Sequence, residues 1–370
     1  MMDSLPAFIG TALLFMAGAR KAAAGSHSTN STIEHQSKKQ IQDTRLQDRS
    51  RFRPGQCKTK VVSCRSVAEY EQCIERLVLP GDNVLAIHTQ NDQSDASIAR
   101  MRQRSTRGSV TLFAGKDMWD IQAFMATPGP VGVVCLNGTE CFGNDLLQDS
   151  LSLIRVLRGC YEPHLRTIIV KSKTLSQHSY RYLTSTGLQR RLQQSQLTVQ
   201  GAMIVCTVGV TEYRSVIPLV VRRGDSVLEI GCARGTTVKA LVPHVGSVAD
   251  GGRCIGIDVG KVCVEASRGD HKTILEENLH VSFELGNAWD ISRLLELAGH
   301  FNTVFVDVGG ISGVDGEMEG VALVRQLTNT FNNTTDPAKQ LRYIVIKSRC
   351  LRDHANTFCT ANETLGAVQK

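Results

Sequence analysis

Among the twelve cysteines no two form a C-x-x-C pair, no apolar run reaches the length of a membrane span, and no G-x-G-x-x-G fingerprint occurs anywhere in the chain. The first absence excludes zinc knuckles, ribbons and thioredoxin-type redox pairs. The second excludes a spanning helix, which needs about 18 or more apolar residues. The third argues against hydride chemistry on a dinucleotide. Tryptophan is scarce too, with only two residues, and both prove informative below. Several cysteines lie inside apolar runs and a chain this long needs no covalent staples, so they read as reduced, buried thiols.

At roughly 150 residues per domain, 370 residues make room for two domains. A hydrophobic content of 42% and a charged content of 21% suit packed domains rather than disorder. The net charge of +7 is unevenly placed: ten basic residues against three acids lie between Arg20 and Lys60. From Val61 onward the chain is close to neutral. Leu5–Ala19 is a short apolar run, followed by Arg20-Lys21 and a polar tract rich in Ser, Gln and Arg. The run resembles the core of a signal peptide, with Ala17-Gly18-Ala19 as a cleavage site, but no positive charge precedes it. The acid-poor tract behind it is of the transit-peptide kind. Residues 1–56 are read as a leader or basic tail. The expected location is a plastid or mitochondrion if the leader targets, the cytoplasm or nucleus if it stays attached, and secretion is the weaker reading.

Self-comparison shows an internal repeat. Residues 69–88 (EYEQCIERLVLPGDNVLAIH) align without gaps to 212–231 (EYRSVIPLVVRRGDSVLEIG). TLFAGKDMWDI (111–121) answers FELGNAWDI (283–291), so Trp119 and Trp289 both fall in a shared W-D-I. LIRVL (153–157) then matches LVRQL (323–327), and LRTIIVKS (165–172) matches LRYIVIKS (341–348). The expected organisation is a tandem duplication, with copies at 57–199 and 200–370. Each copy alternates short β-branched apolar runs with helical patterns. That implies α/β architecture with tandem Rossmann-like, doubly wound sheets, the ligand lying at the carboxyl ends of the first strands. The first copy looks degenerate: it lacks the second strand and has HTQNDQS where the second has GCARGTT. It is expected to pack on the second copy as a scaffold.

In the second copy, VLEIGCARGTT (227–237) reads as strand, glycine turn and helix start. Gly231 and Gly235 would let backbone approach a ligand, and the helix opening at Thr236 offers free N–H groups. Glu229 would direct an acid toward a cationic or amine-bearing ligand. Asp258 ends the next strand, where an acid binds ribose hydroxyls. Gly286-Asn287-Ala288 follows the third strand, where an amide can reach an adenine edge. This ordered set resembles the S-adenosyl-L-methionine (SAM) site of class I methyltransferases, over about residues 212–350. The resemblance implies the class I methyltransferase fold and a cofactor site of Glu229, Gly231, Cys232, Ala233, Gly235, Thr236, Asp258, Asn287 and Ala288.

The fourth strand ends at Asp307 and the fifth at Lys347. A lysine closing a buried strand is costly unless it faces a site. The pair is similar to the D…K half of the K-D-K-E/H set of FtsJ and fibrillarin-type RNA 2′-O-methyltransferases. Fibrillarin similarity extends to Glu212-Tyr213-Arg214 and to I-K-x-x-C ending at Cys350. By that resemblance Asp307 and Lys347 are catalytic and the acceptor is RNA. Two departures stand against it. No lysine occupies 212–223, and the chain ends about 22 residues after Lys347, before the usual sixth and seventh strands. Either the sequence is short there or the strand at 203–210 fills the edge. The alternatives are a methyltransferase acting on a small molecule or protein, favoured by the neutral body, and a non-catalytic SAM-fold interaction module. Neither metal nor membrane is expected as a partner, and the oligomeric state is left open.

Overall fold

In the computed structural model the described residues run from 59 to 367, except 89–95, 115–118, 120, 128, 142–146, 194–200, 279, 310, 312–315 and 333. The leader and most of the HTQNDQS turn therefore lie outside the described residues. Among the described residues the apolar runs form thirteen strands. They are β1 (Lys60–Cys64), β2 (Val84–His88), β3 (Val110–Ala114), β4 (Val133–Leu136), β5 (Thr167–Lys171), β6 (Tyr182–Thr184) and β7 (Met203–Thr207), then β8 (Ser226–Ile230), β9 (Arg253–Asp258), β10 (Val281–Leu285), β11 (Thr303–Val306), β12 (Tyr343–Lys347) and β13 (Phe358–Thr360). They make two sheets, of order β13-β1-β5-β4-β2-β3 and β10-β9-β8-β11-β12-β7-β6. The described pairings are all parallel. Central strands such as β2, β7 and β8 are buried along their whole length. Helices cover both faces of a parallel sheet, which is why their sequences read as unbroken apolar runs rather than alternating ones.

The fold is thus α/β with two Rossmann-like, doubly wound sheets. The second turns back on itself between β8 and β11, and the crevice at such a reversal is where ligands bind in open parallel sheets. In the first sheet β3 lies directly against β2, the place that β9 holds beside β8. Its sequence nevertheless matches β10. Among the described residues no strand lies between β2 and β3 in the chain.

The outermost strands are exchanged. After Lys171 the first half continues through the helix Lys173–Arg181 into β6, which pairs with β7 of the second sheet. After Lys347 the second half continues through the helix Arg349–Thr357 into β13, which pairs with β1 of the first sheet. The expectation that the chain stops before any further strand is corrected here. One more strand follows, but it serves the other sheet. The edge beyond β12 is filled by β7 and then β6. One continuous apolar core, including Ile168 and Val170 from β5, Ile204 from β7 and Ile344 and Ile346 from β12, runs through both halves.

Candidate active site

β8 ends at Ile230, and the chain turns through Gly231 to Gly235 into the helix Thr236–Val245. Gly231 and Gly235 have φ of 78° and 70°, and Ala233 lies at 45°, in the left-handed region that L residues avoid. A Cβ on Gly231 would lie 2.2 Å from the carbonyl oxygen of Asp307, so the turn is pressed against the end of β11. A Cβ on Gly235 would lie 2.6 Å from the Phe283 ring and 2.9 Å from His271. Both glycines are therefore required by the packing of the fold itself, a reason the sequence did not disclose. The N–H groups of Gly231 and Cys232 donate to Ile257 O at 2.8 and 3.0 Å, tying the turn to β9.

Asp258, at the end of β9, accepts from Ala233 N at 2.9 Å and from Gly260 N at 2.8 Å. Its carboxylate holds both flanking loops and retains lone pairs for two hydroxyls. Asn287 Oδ1 accepts from Trp289 N at 3.1 Å, forming a tight turn that buries Ala288 and leaves Asn287 exposed. Around this lip stand Val259, 70% exposed, and Val262, 77% exposed, with Leu285 and Trp289 also uncovered. Sequence reasoning missed these four. The signal available was their place at or just past the ends of β9 and β10, where apolar residues have no core to enter.

Glu229 is only 2% exposed, and its Oε2 has no hydrogen-bond partner. Burial pushes its carboxyl up to about 8; the nearby Asp307 adds to the rise, while the Thr237 hydroxyl and Val238 N–H oppose it. Arg214 Nε donates to Thr237 Oγ1 at 3.2 Å. The Tyr213 hydroxyl is buried without a partner, its ring edge-on to Phe305. Burial pushes the thiol of Cys232, inside the turn, up to about 12. The eleven cysteines among the described residues are all free thiols.

Asp307 and Lys347 follow the register pair Val306↔Ile346 on adjacent strands, so their side chains emerge together. Lys347 Nζ donates to Asp307 Oδ2 at 2.5 Å. The pair is about a quarter exposed, at 25% and 27%. Asp307 N donates to Ile230 O at 2.9 Å, which sets the pair immediately beside the glycine turn. The structure thus brings Glu229, the turn, Asp307 and Lys347 together at one carboxyl edge, with Asp258 and Asn287 on its far side. In the first half, Asn137 is buried at the end of β4 where the second half has Asp307. Among the described residues no group of side chains could hold a metal ion, and no helix is long and apolar enough to cross a membrane.

No family model matches the chain, and no curated protein does. Solved structures similar to part of it include Aeropyrum pernix fibrillarin with natively bound S-adenosyl-L-methionine, at 19% identity over 28% of this chain and 42% of that one, with a TM-score of 0.23. An O-methyltransferase from Bacillus cereus in complex with SAH is 20% identical over 38% of this chain and 60% of that one, with a TM-score of 0.26. The PRMT1 enzyme–prozyme complex of Trypanosoma brucei with AdoHcy is 19% identical over 31% of this chain and 33% of that one, at a TM-score of 0.24. The matched part spans less than two thirds of each of these chains.

Proposed function

We propose that the chain is a SAM-dependent methyltransferase of the class I type whose acceptor is a ribose 2′-hydroxyl of RNA. The observation that carries the reading is the Asp307–Lys347 pair, closed at 2.5 Å and backed directly against the glycine turn. The rest of the site fits the cofactor. Glu229 offers an unsatisfied oxygen to the ammonium of its amino-acid end. Asp258 has lone pairs to spare for ribose, and Val259 and Val262 offer an apolar face for a heteroaromatic base. Cys232, Ala233, Thr236 and Ala288 contribute backbone around it. When bound, SAM supplies a methyl group already activated on a sulfonium.

The protein's own contribution is orientation and charge. Lys347 hydrogen-bonds the acceptor oxygen and stabilises negative charge as it develops there. Asp307 fixes the direction of Lys347 through their bond. As the new O–C bond forms and the methyl's bond to sulfur breaks, Lys347 passes one of its protons to Asp307 and takes the hydroxyl proton in its place. The first half, with Asn137 in place of Asp307, is read as a degenerate duplicate that acts as scaffold, the copies being 57–199 and 200–370.

Calorimetry with SAM, followed by radiolabelled methyl transfer to RNA, protein and metabolite fractions, tests the reading. Binding that weakens about tenfold in Asp258→Ala, together with label in the RNA fraction, is expected. Label confined to protein or metabolites would move the acceptor, and absence of SAM binding would leave an interaction module.

A further inference from the structure

A second charged pair stands at the same edge, and the site described above does not use it. Arg352 lies in the first turns of the helix Arg349–Thr357, which starts two residues after Lys347. Its Nη1 donates to Glu212 Oε1. Glu212 Oε2 accepts from Val208 N at 3.0 Å, just beyond the end of β7. Thr207 of β7 is the register partner of Lys347. The Arg352–Glu212 pair therefore lies just past the end of β7, whose backbone runs about one strand spacing, ~4.8 Å, from that of β12 and Lys347. From the first half, Ser185 Oγ donates to the same Glu212 oxygen at 2.5 Å. Asp307, Lys347, Arg352–Glu212 and Ser185 thus form a row across the ends of β11, β12, β7 and β6.

Two observations give the row a purpose. Arg352 Nε is buried without an acceptor, while the pair as a whole is partly open, at 21% and 26% exposure. A guanidinium has five N–H donors, and one carboxylate oxygen does not satisfy them. The halves also differ here. Glu69 holds the place of Glu212 in the first half, and its carboxylate accepts Arg65 N at 2.6 Å in the same manner. Yet Ser176 stands where Arg352 does, and Ala361 where Ser185 does. The arginine and its serine support occur only at the edge that also has Asp307 and the glycine turn. A strut needed by the fold would be needed at both edges.

We propose that Arg352, oriented by Glu212 and Ser185, binds the phosphodiester flanking the ribose presented to Lys347. The inference rests on the RNA reading above. Glu212 takes Nη1 of the guanidinium and leaves Nη2 to donate to a phosphate oxygen. Ser185 and Glu212 are positioning residues; Arg352 is the contact. The arrangement also gives the first half a direct place in acceptor binding, through Ser185.

The test compares wild type with Arg352→Gln, Arg352→Lys and Ser185→Ala. Methyl transfer to total RNA gives KM, and anisotropy of a fluorescein-labelled single-stranded RNA is followed over a series of salt concentrations. Arg352→Gln is expected to raise the KM for RNA on the order of tenfold with SAM affinity unchanged. It should also lower the slope of log affinity against log salt by about 0.7, the signature of one lost phosphate contact on a single strand. A purely structural arginine would not move that slope. Arg352→Lys should keep the slope and lose part of the affinity, and Ser185→Ala should raise KM several-fold without changing the slope. Wild-type KM and slope in an Arg352→Gln protein that still binds SAM would overturn the inference while leaving the RNA reading intact. Should Arg352→Gln not fold, wild-type RNA affinity in Arg352→Lys would overturn it equally. A wild-type protein that binds SAM but labels no RNA would overturn both.

Discussion

His178 and His354 meet Nε2 to Nε2 at 2.9 Å, at the seam where the two halves exchange strands. Each lies seven residues after a strand-ending lysine, Lys171 of β5 or Lys347 of β12, so the contact joins two positions at the same distance from the similar segments LRTIIVKS and LRYIVIKS. His354 Nδ1 bonds Glu317 Oε1 at 2.7 Å. Phe358 of β13 stacks on His354 at 3.9 Å, and Tyr182 of β6 packs on His178 at 4.2 Å. Only one N–H fits between the two rings. A carboxylate on the outer nitrogen of His354 directs its proton there, leaving its Nε2 to accept from His178.

Burial, with the charges of His354 and Arg181 adding to it, holds His178 well below the usual imidazole range. The native ring stays neutral while the unfolded chain takes up a proton near pH 6.5. Below that pH the unfolded state binds more protons, so stability contributed here is full above about 6.5 and is lost as pH falls. Melting curves from pH 7.5 down to 5 should show a decline that is shallower in His178→Leu. An equal decline in the two proteins would contradict this account of the seam.

Glu229 titrates with the opposite sign. With its carboxyl raised to about 8, the native state holds a proton that the unfolded chain releases near 4.5. Stability of the ligand-free protein should therefore fall as pH rises between those values, by at most about 1.4 kcal/mol per pH unit. Glu229→Gln, of the same shape and always neutral, should flatten that window. A cation bound against the carboxylate should flatten it as well, so SAM should protect more strongly at pH 8 than at pH 6. Equal protection at both would remove Glu229 from the cofactor site.

The exchanged strands make each sheet depend on the far end of the chain. Phe358 is buried against β1 and His354, although it belongs to the half that carries the candidate active site. Phe358→Ala should cost about 3–5 kcal/mol, in the range of buried phenylalanine truncations. Because the lost contacts include β1, hydrogen exchange should quicken in the Lys60–Cys64 strand of the first sheet. Exchange that quickens only around residues 349–367 would show that the halves are energetically separate.

What could be read from the sequence follows from locality. The glycine turn, Asp258, Asp307 and Lys347 lie at or just past strand ends, which are marked by composition within a few residues. A strand's type is likewise a local property. Its partner is not: YLT at 182–184 and FCT at 358–360 carry no mark of which sheet they join, and only the assembled core decides it. From the sequence Gly235 reads as clearance for a ligand, whereas the space it preserves is filled by Phe283. Val259 and Val262 resemble any apolar pair until the end of β9 is known to be a lip. Arg352 and Glu212 are 140 residues apart and meet only because β7 and β12 are neighbours.

The most direct test of the central claim is methyl transfer by Lys347→Ala, with SAM affinity measured on the same preparation. If Lys347 orients the acceptor and stabilises its oxygen, turnover on RNA should fall by roughly 10² or more, with SAM affinity kept within a few-fold. Lys347→Arg should not restore it, because a guanidinium cannot take the same position or give up a proton. Near-normal methyl transfer to RNA by Lys347→Ala would contradict the account.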